Sequence, residues 1–224
     1  MDKKINIAID GPSGAGKSTL AKKIAKHLGY IYVDTGALYR AIGYYVLQQD
    51  ISTKDIEKVS ALLKDIKVYF NYIDDVQHVY VNEDDVTDFI RTQPVSMAAS
   101  DVSAIPEVRE FLLQTQRTIA EKENIVMDGR DVGTVILPNA DIKIFLTATA
   151  EDRARRRHEE MILRGNPSDY KTILKEINER DYNDSNRAIA PLKQADDAIL
   201  FDNSGMEEEQ TFNGAMEIIN SALK

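Results

Sequence analysis

Residues 11–18 read GPSGAGKS and match the whole pattern G-x-x-x-x-G-K-[ST]. The apolar run KINIAID at residues 4–10 precedes this loop, and apolar side chains recur at helical spacing from Lys17 to Leu28 after it. Glycines let a backbone wrap closely around an anion, so that successive N–H groups and a helix N-terminus face phosphate oxygens. The order strand, glycine loop, helix therefore predicts a phosphate-binding loop rather than an ordinary βα turn.

This loop predicts the binding of a nucleoside triphosphate. Lys17 would reach the β- and γ-phosphates, and the Ser18 hydroxyl would complete a Mg²⁺ shell. GTPases, motor ATPases, transport ATPases and small-molecule kinases share such a loop. The chain has no Asn-Lys-x-Asp run that reads guanine and is short for a motor, which favours a small-molecule kinase. The predicted triphosphate contacts are Gly11, Pro12, Ser13, Gly14, Ala15, Gly16, Lys17, Ser18 and Thr19.

The composition narrows the class of protein. A chain of 224 residues with 43% hydrophobic content fits one main core with a subsidiary lobe. The absence of cysteine excludes disulfides, thiolate metal sites and cysteine nucleophiles, and it fits a reducing compartment, so we expect a cytoplasmic protein. A formal charge of −9 argues against a broad nucleic-acid-binding face, and no apolar run approaches the ~20 residues of a membrane span. We therefore expect no nucleic-acid or membrane partner, and we take a monomer as the default.

Further apolar runs continue the alternation of strand and helix. Residues 30–33, 125–127, 142–147 and 198–201 read as further strands, which with residues 4–10 makes five. Alternating strands and helices of this kind predict an α/β fold with a parallel sheet between helices.

Two other segments interrupt this alternation. Residues 67–72 and 76–82 are rich in β-branched and aromatic side chains and predict a hairpin, so we assign residues 65–95 to an inserted antiparallel lobe. The core would then comprise residues 1–64 and 96–224. Residues 151–181 read as two helices joined at Gly165-Asn166-Pro167, with a movable lid at about residues 151–168. Seven of the twelve arginines lie within residues 153–187, a run that by itself predicts only a solvated helical face: Arg153, Arg155, Arg156, Arg157, Arg164, Arg180 and Arg187.

Four motifs carry a resemblance to a known family. They are IDGPSGAGKS at residues 9–18, DTGALYR at 34–40, DGRDVGT at 128–134, and ERD at 179–181 with NRA at 186–188. In this order they closely resemble the bacterial cytidylate kinases, over essentially the whole chain. The hairpin insertion looks like the extended monophosphate-binding lobe of the longer bacterial form. The resemblance implies a nucleoside-monophosphate-kinase fold with a five-stranded parallel sheet, and the ATP-dependent phosphorylation of CMP and dCMP.

The resemblance also implies an acceptor site. Arg40 and Arg130 would hold the acceptor phosphate, because guanidinium forks suit a dianion. Thr35 and Tyr39 would line the same pocket, although a structural buried tyrosine is an alternative. Other residues that the resemblance assigns to CMP are Ser100, Arg109 and Asp131 for the base, Asp184 for the ribose, and Arg180 and Arg187 for the monophosphate.

The base contacts make chemical sense for cytosine. Asp131 would accept from the N4 amino group, and Arg109 would donate to N3 and O2. Uracil reverses the pattern at positions 3 and 4, so it would leave buried groups mispaired. Ser100 is otherwise an ordinary helix serine, and Asp184 is otherwise a solvated carboxylate on a polar helix face.

For catalysis, the resemblance adds a lid pair and a metal-orienting carboxylate. Arg153 and Arg157 stand four apart on one helical face and would meet the ATP side and the transferring phosphate. Asp128 would orient Mg²⁺ through water, with a structural turn carboxylate as the alternative. Arg155 and Arg156 are expected to be surface charge, and the three histidines to lack carboxylate partners and a catalytic role. The predicted catalytic set is Lys17, Arg130, Arg153, Arg157, Arg180 and Arg187.

Two alternatives stay open. One is a kinase of the same fold that acts on UMP or on another small-molecule acceptor, against which the base contacts argue. A nucleotide-sensing module without turnover is the other alternative. The many arginines argue against it, because a sensor has little need of charge at the transferring group.

Overall fold

The computed structural model describes residues 3–74, 76–163, 165 and 168–223. These residues form two compact units: unit 1 comprises Met1–Tyr32 and Glu123–Lys224, and unit 2 comprises Val33–Lys122. The secondary-structure elements in chain order are β1 Asn6–Asp10, α1 Lys17–Leu28, β2 Ile31–Asp34, α2 Thr35–Gln48, α3 Ile56–Leu62, β3 Val68–Ile73, β4 Val76–Val81, β5 Asp84–Asp85, α4 Gln93–Val102, α5 Pro106–Lys122, β6 Ile125–Gly129, a π-helix Val132–Ile136, β7 Ile142–Thr147, α6 Ala150–Leu163, α7 Tyr170–Asn186, β8 Ile199–Asp202 and α8 Glu208–Ala222.

Unit 1 is built on the predicted five-stranded parallel sheet, which the structure confirms. Its strand order is β2-β6-β1-β7-β8, with β2 running across the boundary between the units. Central strand β1 is parallel to both neighbours, and Ile7 is in register with Val126 on β6 and with Ile142 on β7. Ile7 and Ile9 are fully buried, as expected for a central parallel strand covered on both faces. The phosphate-binding loop and Asp128 consequently lie at the carboxyl ends of β1 and β6, where open α/β sheets bind ligands.

The two helices predicted over residues 151–181 are confirmed as α6 and α7, and the predicted lid at about residues 151–168 overlaps α6 but not α7. They pack together through a small apolar cluster that contains Ala154, Ile173 and Ile177. Arg164 and most of the predicted turn, Asn166 and Pro167, lie outside the described residues. The mobility of the lid stays a prediction.

Unit 2 combines helices with a small antiparallel sheet. The predicted hairpin is confirmed as β3 and β4, and the short β5 adds a third strand. Helix α2 lies close to α4, and a Cβ at Gly43 would come within 3.0 Å of Ala98. The predicted lobe of residues 65–95 lies within this larger unit, and its role stays a prediction.

Some features of the fold differ from the expectations. Helices α3 and α8 and the π-helix were not predicted from the sequence, and α4 was predicted only at Ser100. The expectation that the histidines lack carboxylate partners is wrong for His78, whose Nδ1 lies 2.7 Å from Asp85 Oδ2 across the β4–β5 pair. No helix within the described ranges is long and apolar enough to span a bilayer.

Candidate active site

Backbone conformations that favour glycine shape the loop between β1 and α1. Gly11 has φ +148°, and a Cβ there would lie 1.9 Å from the carbonyl oxygen of Leu146 on β7. Gly16, the residue before α1, has φ +89°, and no side chain caps this helix N-terminus. The N–H groups at the start of α1 are therefore available to an anion, as the glycine pattern predicts.

Lys17 lies buried under this loop and donates from Nζ to the carbonyl oxygen of Pro12 at 2.7 Å. Burial lowers the pKa of Lys17 to about 7, and the nearby charges of Arg130 and Arg180 act in the same direction. Asp128 and Asp10 oppose the shift. Three side chains of the predicted catalytic set, Lys17, Arg130 and Arg180, therefore lie close enough within unit 1 for their charges to interact. Such a group of positive charges is suited to binding a polyphosphate.

Ser18 and Asp128 provide oxygen atoms next to the loop. Ser18 Oγ donates to Asp128 Oδ2 at 2.9 Å, and Tyr32 Oη donates to Asp128 Oδ1 at 2.8 Å. Asp128 is only 4% exposed and belongs to strand β6, so it is not the turn carboxylate of the alternative prediction. A hydroxyl and a carboxylate at this position fit Mg²⁺, which prefers oxygen ligands and keeps several waters.

The buried Asp184 pairs with the partly buried Arg130, whose Nε lies 2.9 Å from Asp184 Oδ2. Burial alone would raise the pKa of Asp184, but the charges of Arg130, Arg180 and Arg187 hold it below its usual range. The alternative of a solvated carboxylate at Asp184 is therefore wrong. Four predicted acceptor-site residues lie together here.

Asp10, which the sequence analysis did not single out, holds the segment after β6. It is buried and accepts from the backbone N–H groups of Val132 at 2.8 Å and of Gly133 at 2.7 Å. Burial raises the pKa of Asp10 to about 6 in spite of these bonds. The neighbouring Asp131 is also buried and pairs with Arg187 NH2 at 3.4 Å. The carboxylate assigned to base recognition thus precedes a short π-helix that Asp10 anchors.

The lid arginines differ from one another in their surroundings. Arg153 is 4% exposed and donates to the carbonyl oxygens of Ser13 and Ala148, both at 2.9 Å, and to Asp181 Oδ2 at 2.6 Å. Arg157 lies one turn further along α6 and is half-buried. Arg153 therefore connects the phosphate-binding loop to α6 and α7, and a transfer role for either Arg153 or Arg157 stays a prediction.

The expectation of surface charge is supported for Arg155 and wrong for Arg156. Arg155 is exposed and pairs with Asp152 at 2.6 Å. Arg156 is half-buried and donates to the carbonyl oxygen of Asn203 at 2.7 Å. The difference arises because the two side chains project from different faces of α6.

Asn203 is a further residue missed by the sequence analysis. It is 2% exposed, follows β8, and donates from Nδ2 to the carbonyl oxygen of Ala15 in the loop at 3.1 Å. A pocket of about 250 Å³ opens beside it; among its lining residues are Gly16, Thr19, Leu20, Arg156, Asn203 and Met206. The sequence does indicate Asn203 as a candidate, because the polar run DNSG at residues 202–205 follows the last parallel strand. Ligands bind at the carboxyl ends of the strands in open α/β sheets.

Unit 2 contains the other predicted acceptor residues. Asp34 accepts from the N–H of Ala37 at the start of α2 and pairs with Arg40 NH2 at 2.7 Å. Arg40 Nε is buried and has no hydrogen-bond partner among the described residues. Arg91, which the sequence analysis did not single out, lies 3.5 Å from Asp34. Arg40 is thus oriented by a carboxylate and retains a donor for an anion.

Arg109 and Tyr39 contact each other within the same unit. Arg109 is buried, donates to the carbonyl oxygen of Ser103 at 3.2 Å, and its guanidinium carbon lies 5.6 Å from the centre of the Tyr39 ring. Ser100 on α4 is half-buried, and Thr35 is the buried first residue of α2. The structure places these residues in unit 2, and their contacts with a nucleotide stay predictions.

Together these features place the chain among the P-loop phosphotransferases, in which positioning and charge neutralisation carry most of the catalysis. The model of the family described as cytidylate kinase matches residues 7–221. The chain belongs to this family, which confirms the resemblance.

Two curated relatives and one solved structure illustrate the similarity. The cytidylate kinase of Caldicellulosiruptor bescii is 49% identical over 99% of this chain and 98% of its own. That of Ligilactobacillus salivarius is 50% identical over 98% of each chain. An uncharacterized protein from Eubacterium ventriosum matches with a TM-score of 0.52 at 15% identity, covering 97% of this chain and 99% of that one, which shows the fold alone.

Proposed function

We propose that this chain transfers the γ-phosphoryl group of ATP to CMP and dCMP, forming CDP and dCDP in pyrimidine nucleotide metabolism. The observation that carries the proposal is the buried Lys17 beneath the loop, close enough to Arg130 and Arg180 for their charges to lower its pKa. Such a concentration of positive charge is unfavourable unless a polyanion neutralises it. It suits transfer between phosphates better than simple sensing.

The phosphate-binding loop and the adjoining pocket account for the donor. In this proposal the loop residues 11–19 hold the ATP phosphates, and the base lies in the pocket beside Arg156 and Asn203. The pocket combines apolar contacts from Leu20 and Met206 with polar groups, as nucleotide pockets do.

Ser18 and Asp128 would hold Mg²⁺, Asp128 through water. Mg²⁺, when bound, neutralises charge on the β- and γ-phosphates. The chain's own part is to keep a hydroxyl and a carboxylate oxygen in a fixed relation, which the 2.9 Å bond between Ser18 and Asp128 supports.

The acceptor roles follow the family resemblance. Arg40 and Arg130 bind the acceptor phosphate, and the buried Arg40 Nε without a partner supports this assignment. Arg109 and Asp131 read cytosine. The remaining proposed contacts with CMP are Thr35, Tyr39, Ser100, Arg180, Asp184 and Arg187.

The reaction needs no general base from the protein. An anionic oxygen of the acceptor phosphate attacks the γ-phosphorus, the bond to the β–γ bridging oxygen breaks, and ADP leaves. Lys17 neutralises the negative charge that develops on the donor phosphates. Charge on the transferring phosphoryl group is neutralised by Arg153, Arg157, Arg180 and Arg187. We further propose a cytoplasmic monomer with no nucleic-acid or membrane partner.

A coupled assay of ADP release with CMP, dCMP, UMP, AMP and GMP tests the proposal. We expect kcat/KM for CMP to exceed that for UMP by about 100-fold or more, because uracil leaves buried polar groups mispaired. Equal rates with CMP and UMP would contradict the base assignment. An absence of turnover with every acceptor would leave only the sensing alternative.

The Lys17→Ala variant is the matched test of the catalytic centre. Its turnover of CMP should fall by about 100-fold or more, because the substitution removes a positive charge that stabilises the phosphates during transfer. Unchanged turnover in this variant would contradict the proposal.

A further inference from the structure

We propose that Tyr32 is a positioning residue for the metal–nucleotide site, where its phenol fixes the carboxylate of Asp128 for the metal's water shell. The inference rests on the proposed function, because it concerns the Mg²⁺ that Ser18 and Asp128 would hold. Tyr32 itself touches neither nucleotide nor metal in this proposal.

Two hydroxyl groups fix the Asp128 carboxylate, one at each oxygen. Tyr32 Oη is 2.8 Å from Oδ1 and Ser18 Oγ is 2.9 Å from Oδ2. A carboxylate with a single donor still rotates about its terminal torsion, whereas donors at both oxygens define its plane. Because Asp128 is 4% exposed, bulk water does little to replace a lost donor.

Tyr32 is itself held firmly enough to act as an orienting group. It lies on strand β2 and packs against the apolar cluster around Ile24 and Val126. Lys22 Nζ lies 5.4 Å from the centre of its ring. A tyrosine side chain has only two torsions to restrict, so holding its hydroxyl in place costs little conformational entropy.

Replacement of Tyr32 by phenylalanine removes one oxygen atom and leaves the ring packing intact. Asp128 then loses the donor at Oδ1 and keeps Ser18 at Oδ2, so its carboxylate turns more freely. Partners of this kind commonly contribute tenfold or more to metal affinity. The loop N–H groups and Lys17 are unchanged, so metal-free nucleotide binding should be preserved.

The test measures metal binding separately from turnover. The affinity of Mn²⁺ for the protein–ADP complex is measured by electron paramagnetic resonance, and the affinity for ADP in EDTA by calorimetry. For Tyr32→Phe we expect about tenfold weaker Mn²⁺ binding, with ADP affinity in EDTA within about twofold of wild type. Unchanged Mn²⁺ binding, or a parallel loss of ADP affinity in EDTA, would overturn the inference.

Two further variants exclude a merely structural effect. Tyr30 packs against the same apolar cluster and its hydroxyl bonds to no described residue, so Tyr30→Phe should behave as wild type. In an Asp128→Asn background, Tyr32→Phe should add little further loss, because the orienting bond acts only through that carboxylate. An equal loss in both backgrounds would refute the inference.

Wild-type turnover distinguishes the two proposals. CMP turnover that requires Mg²⁺ supports the proposed function whatever Tyr32→Phe does. Wild-type protein without turnover or metal-dependent ADP binding would overturn the proposed function, and the role of Tyr32 with it.

Discussion

At the scale of single residues, Lys17 shows how burial prepares a side chain for a ligand. Its ammonium group lies under the loop with one described hydrogen bond, to the carbonyl oxygen of Pro12, and burial lowers its pKa to about 7. A polyphosphate beside Nζ would favour the charged form and raise this pKa. Binding of the nucleotide should therefore be coupled to uptake of a proton.

This coupling gives a prediction about pH. At pH 8 most Lys17 is neutral in the free protein, so MgATP binding should take up close to one proton. At pH 6 Lys17 is already protonated, and the uptake should be small. Calorimetry in two buffers of different ionisation enthalpy measures the number of protons.

The control for this experiment is Lys17→Arg, whose guanidinium is charged at both pH values. It should abolish the uptake at pH 8. Uptake near zero for wild type at pH 8 would contradict the assignment to Lys17.

At the scale of secondary-structure elements, Arg153 links segments that are distant in sequence. It is on α6 and donates to the phosphate-binding loop at Ser13 and to Asp181 on α7. The buried guanidinium of Arg153 therefore links the position of the phosphate-binding loop to the positions of α6 and α7. This contact gives the lid arginine a structural role beside the catalytic role that is predicted for it.

We expect Arg153→Ala to lower the free energy of unfolding by about 1–3 kcal/mol, because the carbonyl oxygens of Ser13 and Ala148 and the carboxylate of Asp181 lose a charged partner. Urea denaturation followed by circular dichroism measures this change. Arg155→Ala is the matched control on the same helix, and should leave the free energy of unfolding close to that of wild type because Arg155 is exposed. Equal effects of the two substitutions would show that the contacts of Arg153 do not stabilise the fold.

At the scale of the whole molecule, buried carboxylates act on stability in opposite directions as pH changes. The pKa of Asp184 in the folded protein lies below its usual value. Its contribution to the stability of the fold is therefore present above about pH 4 and is lost as the pH falls. The pKa of Asp10 in the folded protein is raised to about 6. Its contribution to the stability of the fold is therefore present below about pH 4 and is lost as the pH rises through 6.

The Asp184→Asn variant tests the first of these effects. At pH 7 it should be less stable than wild type by about 1–3 kcal/mol, because Arg130 keeps its charge without a charged partner. The difference should shrink as the pH is lowered below 4, where Asp184 becomes protonated. Urea denaturation between pH 3 and pH 7 measures it, and a pH-independent difference would show that the charge of Asp184 is not responsible.

The sequence by itself determined the features that depend on neighbouring residues. The glycine loop, the five strands and the hairpin all follow from local patterns of apolar residues, β-branched residues and glycine. The four motifs at residues 9–18, 34–40, 128–134 and 179–188 were sufficient to recognise the family, because phosphate chemistry requires particular side chains at fixed local spacing.

Only the tertiary structure decided which distant side chains meet. Tyr32 bonds to Asp128, 96 residues later, and Arg156 bonds to Asn203, 47 residues later. Nothing in the local sequence separates Arg156 from the exposed Arg155, since both belong to one charged helical run. Burial and hydrogen bonding of these groups depend on how strands and helices pack, and local sequence patterns do not specify such long-range contacts.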